Sequence, residues 1–260
     1  IYGDIGVPYP VPQLSNANTT VIARLDADDS DDLQAQKKTI GFFIDMAKET
    51  GVVPLYAWVS SKAALAGWQY LTPLGQALEE VGGFIGTHSK YHNIDEQMTP
   101  ERWEEELDES VKEISSNMIK YGHDINNIKW LINPGEEIHL DKYEEIARRF
   151  SFFMTHGPEE YMPLGYGNFT WYMGPCKNLV TVQTAPSSDW HWFYEKGWNF
   201  TTAQITAYEE TIFDHIYQNI SRGVLFNLMW HDYSITSKSR YRNQGMGKEN
   251  HYGLYQGMKA

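Results

Sequence analysis

The chain has 260 residues, 34 of them acidic and 21 basic, for a net charge of -13. That balance argues against broad nucleic-acid binding, which needs a basic surface to displace counterions. The single cysteine, Cys176, excludes an intrachain disulfide and a cysteine-based metal cluster.

A length near two average domains is also that of one α/β barrel, and no composition break marks a linker. No apolar run approaches the roughly 20 residues that span a bilayer. Aromatic residues reach 14%, which suits a core and also a carbohydrate groove. The chain opens at Ile1 with no signal-like segment and reads as a piece of a longer product, in which a removed signal would be invisible.

Residues 1–18 carry Pro and Gly without any period and read as an extended lead-in to a domain over 19–260. Thr19–Leu25 is rich in β-formers and predicts a buried strand. It runs into the acid-rich DADDSDD, where Asp31 and Asp32 suit a helix N-terminal cap. A helix follows over Leu33–Thr50, closed by Gly51, and then a strand over Val52–Val59. Leu71–Val81 is an amphipathic helix ended by Gly82 and Gly83, and Phe84–Gly86 leads into a third strand. Thr99 caps a long charged helix, with Pro100 at its first position and Glu101, Glu104 and Glu105 filling the first turns. That helix runs to about Tyr121. Strands are then expected at Ile128–Ile132, Ser151–Thr155, Asn178–Gln183 and Gly223–Trp230, and helices at Leu140–Phe150 and Ala203–Arg222. About seven alternating strand–helix units predict parallel strands with crossover helices, in one barrel-like domain.

In such barrels the chemistry sits at the C-terminal ends of the strands. The polar residues there are Asp26, Asp28 and Asp29, then His88 and His92, the Asn133-Pro134-Gly135 segment, Asp189 with Trp190, and finally His231 with Asp232. His88 and His92 are four apart, so on a helical turn their rings share a side. Such a pair with one carboxylate suits a divalent ion. Asp232 reads equally well as a cap or a brace. His156 follows a strand and could line a cleft. His123, His139, His215 and His251 read as surface residues, and Cys176 as structural. Among Trp171, Tyr172, Trp190, Trp192 and Tyr194, one or two are expected to stack on sugar rings.

Taken together, these motifs resemble the NodB-homology polysaccharide deacetylases, carbohydrate esterase family four or a divergent relative. His88-Ser89-Lys90-Tyr91-His92 is similar to the family's H-S/T-x-x-H motif and is followed by a Thr-Pro-Glu helix, as in that family. Leu228–Asp232 resembles the strand ending L-x-H-D, and Asp189-Trp190 the fourth motif. The resemblance implies a distorted (β/α)7-type barrel with parallel strands. It also implies metal-assisted hydrolysis of an acetyl amide by one divalent ion, zinc foremost, with Co2+, Ni2+ or Mn2+ as alternatives.

In that scheme Asp28, His88 and His92 are the ligands, Asp26 the base, His231 the acid and Asp189 a further catalytic group. Trp190, Asn133 and Gly135 then contact an acetylated polysaccharide or oligosaccharide, with a backbone N–H near Gly135 holding the oxyanion. The location implied is secreted, periplasmic or at the cell surface.

Two motifs depart from the family. Its first motif has adjacent Asp residues, so Asp29 could replace Asp28 as ligand, with Asp28 then the base. The local pattern is closer to the D-x-D of Pel-type deacetylase domains. Side chains alternate along a strand, which favours Asp26 with Asp28. The arginine of the third motif is missing, because Asn133 stands in its place. That arginine would orient the base and pair with the fourth-motif Asp. Its absence keeps open a catalytically inactive, carbohydrate-binding domain as the alternative. A glycoside hydrolase using Glu136 and Glu137 is a third reading, but it leaves His88 and His92 unexplained.

Overall fold

The computed structural model describes residues 9–10, 20–95, 97–125, 128–135, 142–155, 169–173, 178–183 and 225–232, with 203, 207 and 210 as isolated helical positions. In chain order the elements are β1 (Tyr9–Pro10), β2 (Thr20–Ala27), α1 (Leu33–Thr50), β3 (Val53–Trp58), α2 (Ser60–Ala66), α3 (Trp68–Glu80) and β4 (Phe84–Thr87). Next come α4 (Pro100–Trp103), a π-helical turn (Glu104–Asp108), α5 (Glu109–Lys120), β5 (Trp130–Ile132), α6 (Tyr143–Arg149), β6 (Phe152–Thr155), β7 (Phe169–Met173), β8 (Asn178–Gln183) and β9 (Leu225–His231). No described helix is long and apolar enough to cross a membrane.

The strands form one sheet in the order β1-β7-β8-β6-β5-β4-β3-β2-β9. Every pairing from β9 through β2, β3, β4, β5 and β6 to β8 is parallel. This is the distorted (β/α) barrel of a single α/β domain that the alternation of strands and helices predicts.

Strand alternation sorts the two faces. Ile22, Leu55, Ala57, Trp130, Ile132 and Met154 form a cluster inside the curl of the sheet. The alternate residues Ala23, Leu25, Ala27, Tyr56 and Trp58 pack outward against Ile40, Phe43 and Met46 of α1. Burying each such large side chain stabilises the fold by roughly 1.5–3 kcal/mol. A second outward cluster places Leu131 and Phe153 against Tyr143, Ile146 and Ala147 of α6. Inside the curl, Gly86 lets β5 approach closely. A Cβ there would stand 3.1 Å from the Trp130 carbonyl oxygen.

The helix signals act locally as the sequence indicates. Asp32 caps α1 by accepting from the N–H groups of Gln34 and Ala35 at 3.0 and 3.1 Å. Gly51 ends it at φ 74, its N–H donating to the Ala47 carbonyl. Thr99 caps α4, with Pro100 in the first turn.

Four features differ from the sequence reading. Residues 60–66 form a helix of their own, and α3 starts at Trp68 rather than Leu71, because Gly67 at φ 96 breaks the two apart. The long charged helix is interrupted by the π turn at Glu104–Asp108. The sheet is not purely parallel, since β7 pairs antiparallel with β8. Finally, Tyr9–Pro10 of the lead-in adds antiparallel to β7 at the edge. Of the helix expected over 203–222, positions 203, 207 and 210 are helical and the rest lies outside the described residues.

Candidate metal and active site

The site is built at the C-terminal ends of β2, β4 and β9. Asp26 and His231 are register partners on adjacent parallel strands, so their side chains leave the same face of the sheet. By the same alternation Arg24 shares that face with Ile22 and Asp26. Asp28 immediately follows β2, and its N–H donates to the Asp26 carbonyl at 3.1 Å.

Asp28, His88 and His92 offer ligand atoms that all lie within 4.8 Å of one another. The Nε2 atoms of His88 and His92 stand 3.4 and 3.2 Å from Asp28 Oδ1. The sequence reading supposed a helical turn for the histidine pair, but residues 88–92 are not helical and bend at 90–92. Ser89 and His92 both take a left-handed φ of 63°, a conformation uncommon for non-glycine residues. It folds the loop back, so that the two rings meet edge to face with centroids 4.7 Å apart.

That strained loop is held from two sides. The first N–H groups of α2, those of Ser60 and Ser61, donate to the carbonyls of Ser89 and Lys90, each at 3.1 Å. They are the N–H groups that a helix start leaves without intrahelical partners. On the other side the π turn supplies Glu106, which is 2% exposed. Its backbone carbonyl accepts from Lys90 N at 2.9 Å and its carboxylate from Tyr91 N at 3.0 Å. Within the loop, Ser89 Oγ accepts from His92 N at 3.0 Å.

The chemistry of the three groups fits a divalent cation. His88 Nδ1 lies 3.0 Å from the Ile132 carbonyl oxygen, which can only accept, so Nδ1 carries the proton. Burial lowers the pKa of this imidazole, more than Asp26 and Asp28 raise it. The ring is therefore neutral, with the Nε2 lone pair turned towards a carboxylate oxygen. Two acceptors face to face, with the ring oriented by a backbone carbonyl, are the usual arrangement of a metal-ligating histidine. Two histidines and one carboxylate match the three protein ligands of an open catalytic zinc site.

Asp26 does not join this trio. It is buried and receives a two-pronged contact from Arg24, with Nε to Oδ1 at 2.7 Å and Nη2 to Oδ2 at 2.6 Å. Burial raises its pKa, but the guanidinium, aided by His88 and His231, outweighs that and keeps the carboxyl below its usual value. Asp29 is half-buried and contributes its backbone instead, donating to Asp232 Oδ2 at 2.8 Å.

Asp232 is fully buried and also accepts from Gln36 Nε2 at 3.0 Å. Gln36 Oε1 in turn accepts from Tyr56 Oη and Trp58 Nε1, at 2.8 and 3.0 Å. Asp232 is thus a brace behind the Asp26–Asp29 turn. Burial first, then Asp28 and Asp29, raises its pKa well above the carboxylate norm.

Asn133, at the position of the absent third-motif arginine, is 2% exposed and donates from Nδ2 to the Gly135 carbonyl at 2.9 Å. Gly135 is exposed and sits at φ 83. His123, read from sequence as a surface residue, is half-buried and ion-paired with Glu79. Burial between α3 and the end of α5 was not legible from its loop position. Asp189, Trp190, Trp192, Tyr194, Glu136, Glu137, His139, His156, Cys176, His215 and His251 lie outside the described residues. So do the side chains of Trp171 and Tyr172.

Arg24, Gln36 and Glu106 went unremarked in the sequence. Arg24 did carry a signal, as the one charged residue inside the TTVIARL strand, two positions before Asp26.

No protein-family model matches the sequence, and no curated protein matches it significantly. Solved structures do match. A Mycobacterium smegmatis protein assigned to the polysaccharide deacetylases superposes with a TM-score of 0.66 at 13% identity, over 96% of this chain and 85% of that one. PuuE allantoinase gives 0.59 at 10% identity, over 96% and 87%. A mutant of BA3943, described as a carbohydrate esterase family four pseudoenzyme, gives 0.50 at 8% identity, over 96% and 66%. The chain therefore has the fold of the NodB-like deacetylases.

Proposed function

We propose that the protein is a metal-dependent hydrolase that removes N-acetyl groups, with O-acetyl groups as a variant, from an amino-sugar-containing polysaccharide. The observation that carries this reading is the convergence of Asp28, His88 and His92 at one strand-end site, with Asp26 and His231 in register beside it. A domain that only grips sugar has no use for a base, an acid and a three-ligand site together. An acetylated surface polymer also suits a secreted, periplasmic or cell-surface location.

A divalent ion held by Asp28, His88 and His92, zinc in our reading, would polarise the acetyl carbonyl and make water acidic enough to attack at neutral pH. The proton transfers fall to the chain's own residues. Asp26 is the base that takes the proton of the attacking water. The Arg24 fork uses one lone pair on each Asp26 oxygen, and a carboxylate has others to offer. His231 gives a proton to the departing amine. Asn133 and Gly135 line the substrate side, Gly135 offering its backbone N–H to the oxyanion. Asp189 and Trp190 complete the groove in this reading.

Zinc titration by calorimetry, together with acetate release from acetylated glycans, tests the assignment. Asp28→Asn is expected to lose zinc. Asp26→Asn is expected to keep zinc and lose acetate release, and Asp29→Asn to be milder in both. If Asp29→Asn loses zinc while Asp26→Asn stays active, the adjacent-pair register is correct. If the wild-type protein binds zinc and releases no acetate from any glycan, the inactive binding domain is the better reading.

A further inference from the structure

We infer that Arg24 is the positioning residue of the proposed base, and that it acts from the base's own strand. This inference rests on the reading of Asp26 as base. Arg24 and Asp26 are 2% and 3% exposed, two residues apart on β2, and both on the inner face of the curl. Arg24 is the deeper of the two, with Leu55 and Met229 as its register partners. Both contacts of the pair are short and parallel, the fork geometry that fixes a carboxylate's orientation as well as its charge.

A buried ion pair is a poor stabilising device, because desolvating both charges offsets most of their attraction, and apolar replacements of similar volume are often as stable. The neighbouring inward residues Ile22, Leu55, Ala57 and Ile132 are apolar, so an apolar residue at 24 would suit the packing. What the pair adds is a carboxylate held in one orientation at the strand end, beside His231. A base set about 1 Å out of place can cost on the order of 100-fold in rate, and a guanidinium braced by the sheet removes that freedom. Arg24 lies two residues below the strand end. It acts on the reaction only through Asp26.

The test uses the full chain, with zinc as the metal and an N-acetylated chitooligosaccharide as substrate. Arg24→Lys keeps the charge and loses the fork. It is expected to fold, to bind zinc with wild-type stoichiometry and affinity, and to lower kcat at least about tenfold while KM changes little. Arg24→Met is expected to lower kcat further, by roughly 100-fold, so that lysine is a partial rescue. Combined with Asp26→Asn, Arg24→Met should cost nothing beyond Asp26→Asn alone, because both act through one carboxylate.

A wild-type kcat in Arg24→Lys overturns the inference, as does additive loss in the double variant. Zinc affinity falling in step with kcat in Arg24→Lys would also overturn it, by showing a general distortion. If Arg24→Met does not fold, Arg24→Lys decides alone. A wild-type protein that releases no acetate removes the base assignment itself, an outcome distinct from active wild type with unaffected Arg24 variants.

Discussion

Two histidine–carboxylate groups stand at opposite ends of the barrel, and they differ in every respect that matters for chemistry. At the C-terminal strand ends, His88 and His92 share one Asp28 oxygen, and the His88 ring is fixed by a backbone carbonyl. At the other end, His123 pairs with Glu79 near the C-terminus of α3, one imidazole against one carboxylate, both half-buried. The first group brings two imidazole nitrogens onto one carboxylate oxygen, with the buried His88 ring neutral. The second is a donor meeting an acceptor, complete in itself. The same residue types therefore make a candidate ligand set or a half-buried tie, depending on which end of the strands they occupy, as the division of labour in (β/α) barrels leads one to expect.

The comparison is broken most decisively by removing one imidazole from each end. His92→Ala is expected to abolish acetate release and zinc binding while thermal unfolding stays cooperative, because the residue is in a half-buried loop rather than the core. His123→Ala should leave zinc binding untouched. Zinc binding that survives His92→Ala would show that the trio is not the ligand set.

A second perturbation sharpens the role of the loop brace. Glu106 touches no ligand atom but fixes Tyr91 N in the strained segment between the two histidines. Outer-shell partners of this kind are typically worth 10–100-fold in metal affinity. Glu106→Ala is expected to weaken zinc by about that factor, read by calorimetry, with little change in helix content by circular dichroism.

The third prediction concerns Asp232, the brace behind the acidic turn. Asp232→Ala leaves Asp29 N and the Gln36 amide short of an acceptor, and should cost about 1–3 kcal/mol in denaturant unfolding. Asp232→Asn keeps an acceptor oxygen and should cost less. The pH dependence separates the two forms further. The folded carboxyl pKa is raised, so the folded state holds its proton more tightly than the unfolded chain, whose value is near 3.9. Wild-type stability from this group is therefore present below the unfolded value and is lost as pH rises towards the raised folded value. Asp232→Asn should show a flatter stability–pH curve over that window.

The smallest effect belongs to the far end of the barrel. His123→Ala is expected to cost no more than about 1 kcal/mol, as partly exposed ion pairs do, and to leave kcat unchanged.

The contrast between the two ends also separates what was readable from what was not. His88, His92, Asp28 and His231 stood out because each follows an apolar run, and strand ends are legible from composition alone. Asp232 and Gln36 form one network though 196 positions apart in sequence, and no local pattern announces such a pair. Glu106 looked like any acid of a charged helix. Only the π turn carries its carboxylate to the histidine loop, and a one-residue change of helical pitch has no compositional signature. The His88–His92 convergence was anticipated for the wrong reason. A four-residue spacing suggests a helical turn, whereas two left-handed residues make the loop.

By itself the sequence determined the alternation of strands and helices, the parallel order that follows from it, the caps at Asp32, Gly51 and Thr99, and the presence of ionisable groups at strand ends. These are local properties, set by side-chain period, backbone preference and short-range hydrogen bonds. Tertiary structure decided which of those groups meet. It placed Asp28 rather than Asp29 with the two imidazoles, set Asp26 beside His231 and tied it to Arg24, and turned Asp232 towards α1 as a brace. The physical reason is that register between strands distant in sequence, and the desolvation that makes a buried charge seek a partner, exist only once the chain has closed on itself.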